Sequence, residues 1–257
     1  VANSRVMTTM RAVVAWARPG RALDDDGAIR KSDMDDLVAA TGEDAEHTEL
    51  YVEWAKGVGL LRVANSALVA SHLSTGLLEQ PEFLWTRLWQ TFVLLDEALG
   101  ADELDDEALP KLIQEALNAL YSFGEPVPVE VLTDLATTAL TEDDEEEEVP
   151  RPLVGTLLGR IVRAREAMGA VRTFTTDDPE QLATIDGVVP EGSTPDHTVV
   201  ELLPEGVNAA RGSLEAFGFT APTVDELVRY PAEVVALALD NATEDVLGPA
   251  AASWIEH

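Results

Sequence analysis

Apolar residues recur at helical spacing through most of this chain, with two short stretches where β-prone residues take over. Residues 4–17, SRVMTTMRAVVAWA, set Val6, Met10, Val13, Val14 and Ala17 along one stripe and predict a helix. Arg18-Pro19-Gly20 stops it. The following RALDDDGAIRKSD is turn-like, with a β-bridge expected at Ala28-Ile29-Arg30. Ser32 or Asp33 can cap a second helix carrying Met34, Leu37, Val38 and Ala39, which Gly42 ends. A third helix is predicted over 46–58, with Leu50, Tyr51, Trp54, Ala55 and Val58 inward and Gly59 closing it. Then LLRV and ALVA, separated by Ala64-Asn65-Ser66, predict a tight hairpin.

Three helices followed by a hairpin is the winged-helix order, a variant of helix-turn-helix. The order occurs twice. VEWAKGVGLLRV at 52–63 lies over VRAREAMGAVRT at 162–173 with a constant offset of 110, pairing Val58 with Met168, Gly59 with Gly169 and Arg62 with Arg172. Upstream, AIRKSDMDDLVAA lies over PVPVEVLTDLATT, pairing Leu37 with Leu135, and the segment 107–122 matches the first helix. Downstream, Gly76 meets Gly206 if the second hairpin carries about twenty extra residues, whose Gly, Pro and Asp content predicts a long mobile wing over 176–196. The fold class expected is therefore mainly α with small β-hairpins (α+β), as two tandem winged-helix domains and a short helical tail. The boundaries are 1–80 for the first unit, 81–100 for an apolar connecting helix, 101–218 for the second unit and 219–257 for the tail. Along the connecting helix, Phe83, Leu84, Leu88, Phe92 and Leu95 form one stripe with Trp85 and Trp89 beside it, which reads as core or as a protein or homodimer contact.

Composition changes what such a fold can do. The 257 residues carry 48 acidic and 17 basic side chains, a net charge of −31, and no cysteine. That field repels nucleic acid and anionic membranes over most of the surface. Salt adaptation, a surface for a basic partner and mimicry of nucleic acid all account for it. The absence of cysteine fits a reducing cytoplasm, and neither a transmembrane run nor a signal peptide is expected.

The third helix of each unit is where a winged-helix protein meets DNA, so its outward face decides the reading. In the first unit that face is Glu46, Glu49, Glu53 and Lys56, a net charge of −2. A phosphate array would repel it. These acids, with Trp85 and Trp89, are the candidate protein-interaction residues. In the second unit Val154, Leu157, Leu158, Ile161 and Met168 point inward, and Arg160 and Arg163 point outward. With Arg151 at the helix start and Arg172 in the next strand they form a candidate polyanion-binding set, or pair with nearby carboxylates. Arg165 falls on the inward side, where it should snorkel or pair with an acid. The run EDDEEEE at 142–148 should be a solvated loop, within an insertion at 141–150, that could cover the arginines.

No catalytic or metal-binding pattern is present. His47, His72, His197 and His257 have no ligand spacing, and Asp24-Asp25-Asp26 lacks the spacing of an EF-hand loop. No cofactor is expected, and an enzyme is not the favoured reading.

The segments VEWAKGVGLLRV, LVASHLSTGLLEQPEFLWTRLW and VVELLPEGVNAARGSLEAFGFTAP resemble a family of uncharacterised proteins from high-GC actinobacteria. Trp16, Gly20-Arg21-Ala22-Leu23, Trp54, Leu77-Leu78, Pro81, Leu84-Trp85, Leu203, Gly206, Gly218 and Ala221-Pro222 carry the match across most of the chain. Pro204 departs from the Thr that many winged-helix proteins place before the last helix. The resemblance implies winged-helix-like units and no particular activity. The function expected is a non-enzymatic adaptor that binds a protein partner. The alternative is a transcriptional regulator touching DNA through its second unit, and mimicry of nucleic acid is a third reading.

Overall fold

A computed structural model describes residues 1–101, 104, 108–142, 149–190, 192–216, 218, 235 and 254. It is mainly helical with two small antiparallel sheets of three strands. The chain divides into two compact units, Val1–Pro110 with Arg163–Gly169, and Lys111–Val162 with Ala170–His257.

The first unit runs α1 (Arg5–Ala17), β1 (Arg21–Ala22), α2 (Lys31–Thr41), α3 (Ala45–Gly57), β2 (Leu61–Ala64) and β3 (Ala67–Ala70). Its sheet has the order β1-β3-β2. Val6, Met10, Val13, Val14 and Ala17 are all buried, as the stripe on α1 predicts. Gly42 ends α2 in a left-handed conformation at φ 74 and accounts for the stop. No side chain caps the start of α2, which begins at Lys31, so neither Ser32 nor Asp33 takes that role. The β2–β3 hairpin is as short as such a connection allows. Ala64 pairs with Ala67, and Asn65 and Ser66 both take positive φ (52 and 56), the requirement of a two-residue type I′ turn.

The 81–99 segment is broken. It forms α5 (Pro81–Thr91), a 3-10 turn (Phe92–Leu94) and α6 (Asp96–Leu99), after a short α4 (Ser74–Leu78). Leu84, Leu88 and Phe92 are fully buried, but Phe83 is half exposed, off the stripe to which the spacing assigned it. Trp54 anchors this layer, its indole N–H donating to the Leu88 carbonyl at 2.8 Å and its ring edge-on to Phe92 at 5.0 Å.

The second half of the chain repeats the order with α7 (Ala108–Phe123), β4 (Val127–Pro128), α8 (Val129–Glu142), α9 (Arg151–Ala167), whose residues from Arg163 on belong to the first compact unit, β5 (Val171–Thr175), α10 (Pro179–Val188), β6 (Thr198–Leu202) and α11 (Pro204–Ala216). Its sheet, β4-β6-β5, matches that of the first. Ala116, Leu120, Val127, Leu132, Leu158, Val162, Val171 and Val200 form one core.

Three details of the repeat differ from the expectation. Leu135 is 41% exposed while Leu132 and Ala136 are buried, so Leu135 is not the counterpart of buried Leu37. The ladders end at Ala70 and Leu202, which sets Gly206 opposite Ser74 and not Gly76. The insertion in the second hairpin is not a mobile wing: it holds α10, which packs on α8. Asp178 caps α10 by accepting from the Glu180 N–H, Pro179 follows at the first helical position, and Ile185 is fully buried. Gln181 ties the insertion down, its amide donating to the Pro126 carbonyl at 3.2 Å.

Two expectations lie outside the described residues, the greater part of the acidic run at 142–148 and nearly all of the 219–257 tail. Among the described residues no helix is long and apolar enough to cross a membrane.

Candidate functional site

In the first unit the candidate surface is the outward side of α3. This helix is buried on most of its circumference: Thr48, Leu50, Tyr51, Val52, Trp54 and Ala55 are all inside. What it leaves outside is the stripe Glu46, Glu49, Glu53 and Lys56. Glu46 and Glu49 are exposed, and Glu53 is half exposed with the Lys56 ammonium on its carboxylate at 2.7 Å. That exposed pair contributes at most ~1 kcal/mol and leaves the face negative.

The start of α3 is held by a charge cluster with no signature in the sequence. Asp44 caps the helix by accepting from the His47 backbone N–H at 2.9 Å, and its Oδ1 also meets His47 Nδ1 at 2.7 Å. The backbone donor, then the His47 side chain and Arg163, hold the Asp44 carboxyl at about 2, below its usual 3.8. Beside it Glu43 is 5% exposed and receives two arginines. Arg5 from α1 donates Nε to Glu43 Oε1 at 2.7 Å and a second N–H to Oε2, and this bonding raises the Arg5 pKa. Arg163 reaches Glu43 at 3.6 Å and Asp44 at 3.0 Å. Burial pushes the neighbouring Tyr51 hydroxyl up to about 12, and the Glu43 charge adds to it. A buried carboxylate between two guanidinium groups is a structural clamp: removing it would leave two cations short of a partner.

The candidate polyanion-binding arginines are widely engaged. Arg163 lies in the clamp. Arg151 packs against α8, bonding Glu130 at 3.0 Å with Asp134 at 3.9 Å. Arg172 pairs across the ladder with Glu201 at 3.0 Å and stands 5.4 Å from the Phe174 ring centroid. Arg160 is half exposed on α9 and has interactions of its own. Arginines so paired offer fewer free donors to a phosphate backbone.

Trp85 and Trp89 are only 7% and 5% exposed, so the structure places both candidate interaction residues in the core. They stack on one another at 5.5 Å, and the Trp85 indole N–H donates to the Met168 carbonyl at 2.9 Å. Arg165 lies over Trp89 at 3.8 Å and Phe92 at 4.6 Å. It does point inward, but it does not snorkel, and it meets no acid among the described residues. Burial alone pulls its pKa down to about 9. Each ring contact is worth ~2 kcal/mol in a dry site, against a desolvation cost of several kcal/mol for an unpaired ion.

The Asp24-Asp25-Asp26 loop forms a shallow open depression with Leu23 and Arg30. Asp26 caps the Ala28 N–H and Arg30 reaches Asp24 at 3.5 Å, so these carboxylates serve the loop itself. Among the described residues no group of three or more His, Cys, Asp or Glu could hold a metal ion. His72 and His197 are exposed and isolated from any such group. Comparison with protein-family models, with curated proteins and with solved structures finds no match to this chain.

Proposed function

We propose that this chain is a tandem winged-helix protein of the kind it resembles in actinobacteria, and that it works without catalysis, by binding a protein partner on the acidic face of α3. One observation carries the reading: the helix that follows the turn after α2 and precedes the short wing exposes Glu46, Glu49 and Glu53, where a DNA reader needs Arg, Lys, Asn or Gln. The helix order, the β1-β3-β2 sheet and the two-residue wing support the fold assignment. The net charge of −31 favours a basic partner, which it would also steer toward the surface.

The regulator reading is the weaker one, since Arg151, Arg163 and Arg172 have carboxylate partners and Arg160 is engaged in interactions of its own. The test of the favoured reading is capture from a native extract by the full chain and by a Glu46→Lys, Glu49→Lys, Glu53→Lys variant. The partner should be retained by the first and lost by the second, with an unchanged melting temperature. Equal capture by both would remove α3 from the account.

A further inference from the structure

Among the described residues only two charged side chains are fully buried, Glu43 and Arg165. Glu43 has two arginines. Among the described residues Arg165 meets no carboxylate: its one hydrogen bond to them runs from Nη1 to the Met168 thioether at 3.5 Å, and its Nε has no acceptor. A guanidinium carries five N–H donors, and a thioether is a weak acceptor. The faces of Trp89 and Phe92 attract the cation but are poor substitutes for the oxygens it leaves behind in water. The repeat sharpens the point. The offset of 110 sets Arg165 opposite Ala55, a fully buried alanine on the last turn of α3. One fold position thus carries an apolar methyl in one copy and an unpaired cation in the other.

Polar clips flank this cation. Arg163 holds Asp44 at 3.0 Å on one side, and the Trp85 indole holds the Met168 carbonyl at 2.9 Å on the other. We propose that residues 163–169 are a latch: the clips at Arg163 and Met168 hold down a turn whose centre is an uncompensated cation. The latch opens locally, well before the first unit unfolds, and so hydrates Arg165 and uncovers Trp85 and Trp89. The depressed pKa of Arg165 agrees with this, because the closed environment disfavours its charge. The latch does not depend on what α3 binds.

Amide hydrogen exchange on the full chain tests it. The control is 53–59, the matching last turn of α3, which ends at Gly59 in the same left-handed conformation as Gly169. Residues 163–169 should exchange at least about tenfold faster than 53–59 through local opening. Arg165→Met removes the charge and keeps the bulk, and should slow that exchange about tenfold and raise the melting temperature. Equal exchange of the two turns in the native chain would overturn the proposal. So would faster exchange in Arg165→Met, which would show that the stacking on Trp89 and Phe92 outweighs the desolvation. If Arg165→Met does not fold, the comparison in the native chain decides alone.

Discussion

The two units share a helix order and a sheet order, yet they use the same positions differently. On α3 the outward stripe is acidic and the last turn is apolar at Ala55; on α9 Arg160 and Arg163 face outward and Arg165 occupies the buried site. The hairpin of the first unit closes in a two-residue turn, whereas that of the second contains a whole helix, α10. A shared fold therefore says little about shared contacts. What each unit can bind follows from its exposed side chains, and these diverge most on the third helix of each unit.

The largest expected effect separates the units at a glycine. A Cβ on Gly206 would meet the Ala170 carbonyl oxygen at 1.9 Å, and that oxygen already accepts from the Leu203 N–H at 2.9 Å. Backbone on both sides cannot yield, so Gly206→Ala should cost about 3 kcal/mol or more in denaturant unfolding. Gly76, which the sequence pairs with it, has open space around its Cβ position. Gly76→Ala in α4 should be neutral or gain ~0.5 kcal/mol. Equal costs at both positions would restore the Gly76–Gly206 pairing and undo the ladder-based alignment.

The clamp gives the next largest. Glu43→Gln keeps the shape and removes the charge between Arg5 and Arg163, which are themselves 53% and 41% exposed. Their access to water moderates the loss to about 2 kcal/mol, read from denaturant midpoints. Glu130→Gln, at the half-buried Arg151 pair of the second unit, should cost less, about 1 kcal/mol, because Asp134 stays beside Arg151 at 3.9 Å. A reversal of that order would show that α3 is not pinned by Glu43.

A smaller effect depends on pH. The Asp44 pKa is about 2 in the fold against 3.8 for the free side chain, so its contribution is complete above about 3.8 and drains away as pH falls toward 2. Thermal melts over that window should fall less steeply for Asp44→Asn than for the native chain. Parallel slopes would mean that the cap and the His47 contact do not hold the carboxylate. The smallest effect is on stability at the acidic stripe, where Glu46→Lys and Glu49→Lys should each stay within ~0.5 kcal/mol because both side chains are exposed.

How much of this the sequence reveals depends on how local the cause is. Helical stripes are local: α1, α3 and α9 bury the residues their spacing selects. The strands β1 and β4 escape because two residues cannot show alternation, and each forms only by pairing with a strand far along the chain. Helix α10 was legible in Asp178-Pro179, a cap followed by a first-turn proline, but the surrounding Gly and Pro read as loop. Phe83 fails for a different reason. Its spacing fits the stripe, but it sits in the first turn of α5 and only half of it is covered. The Glu43 clamp could not be found from sequence, since one acid among 48 carries no mark of the two arginines that converge on it.

The proposed function requires that the acidic third helix of the first unit does not read DNA. It is tested most directly by titrating a labelled duplex with the full chain at about 50 mM and 200 mM salt, where phosphate contacts would produce a steep difference. The account predicts no saturable binding at either concentration. Saturable binding at the lower salt, weakened at the higher and abolished by Arg160→Glu, would contradict it.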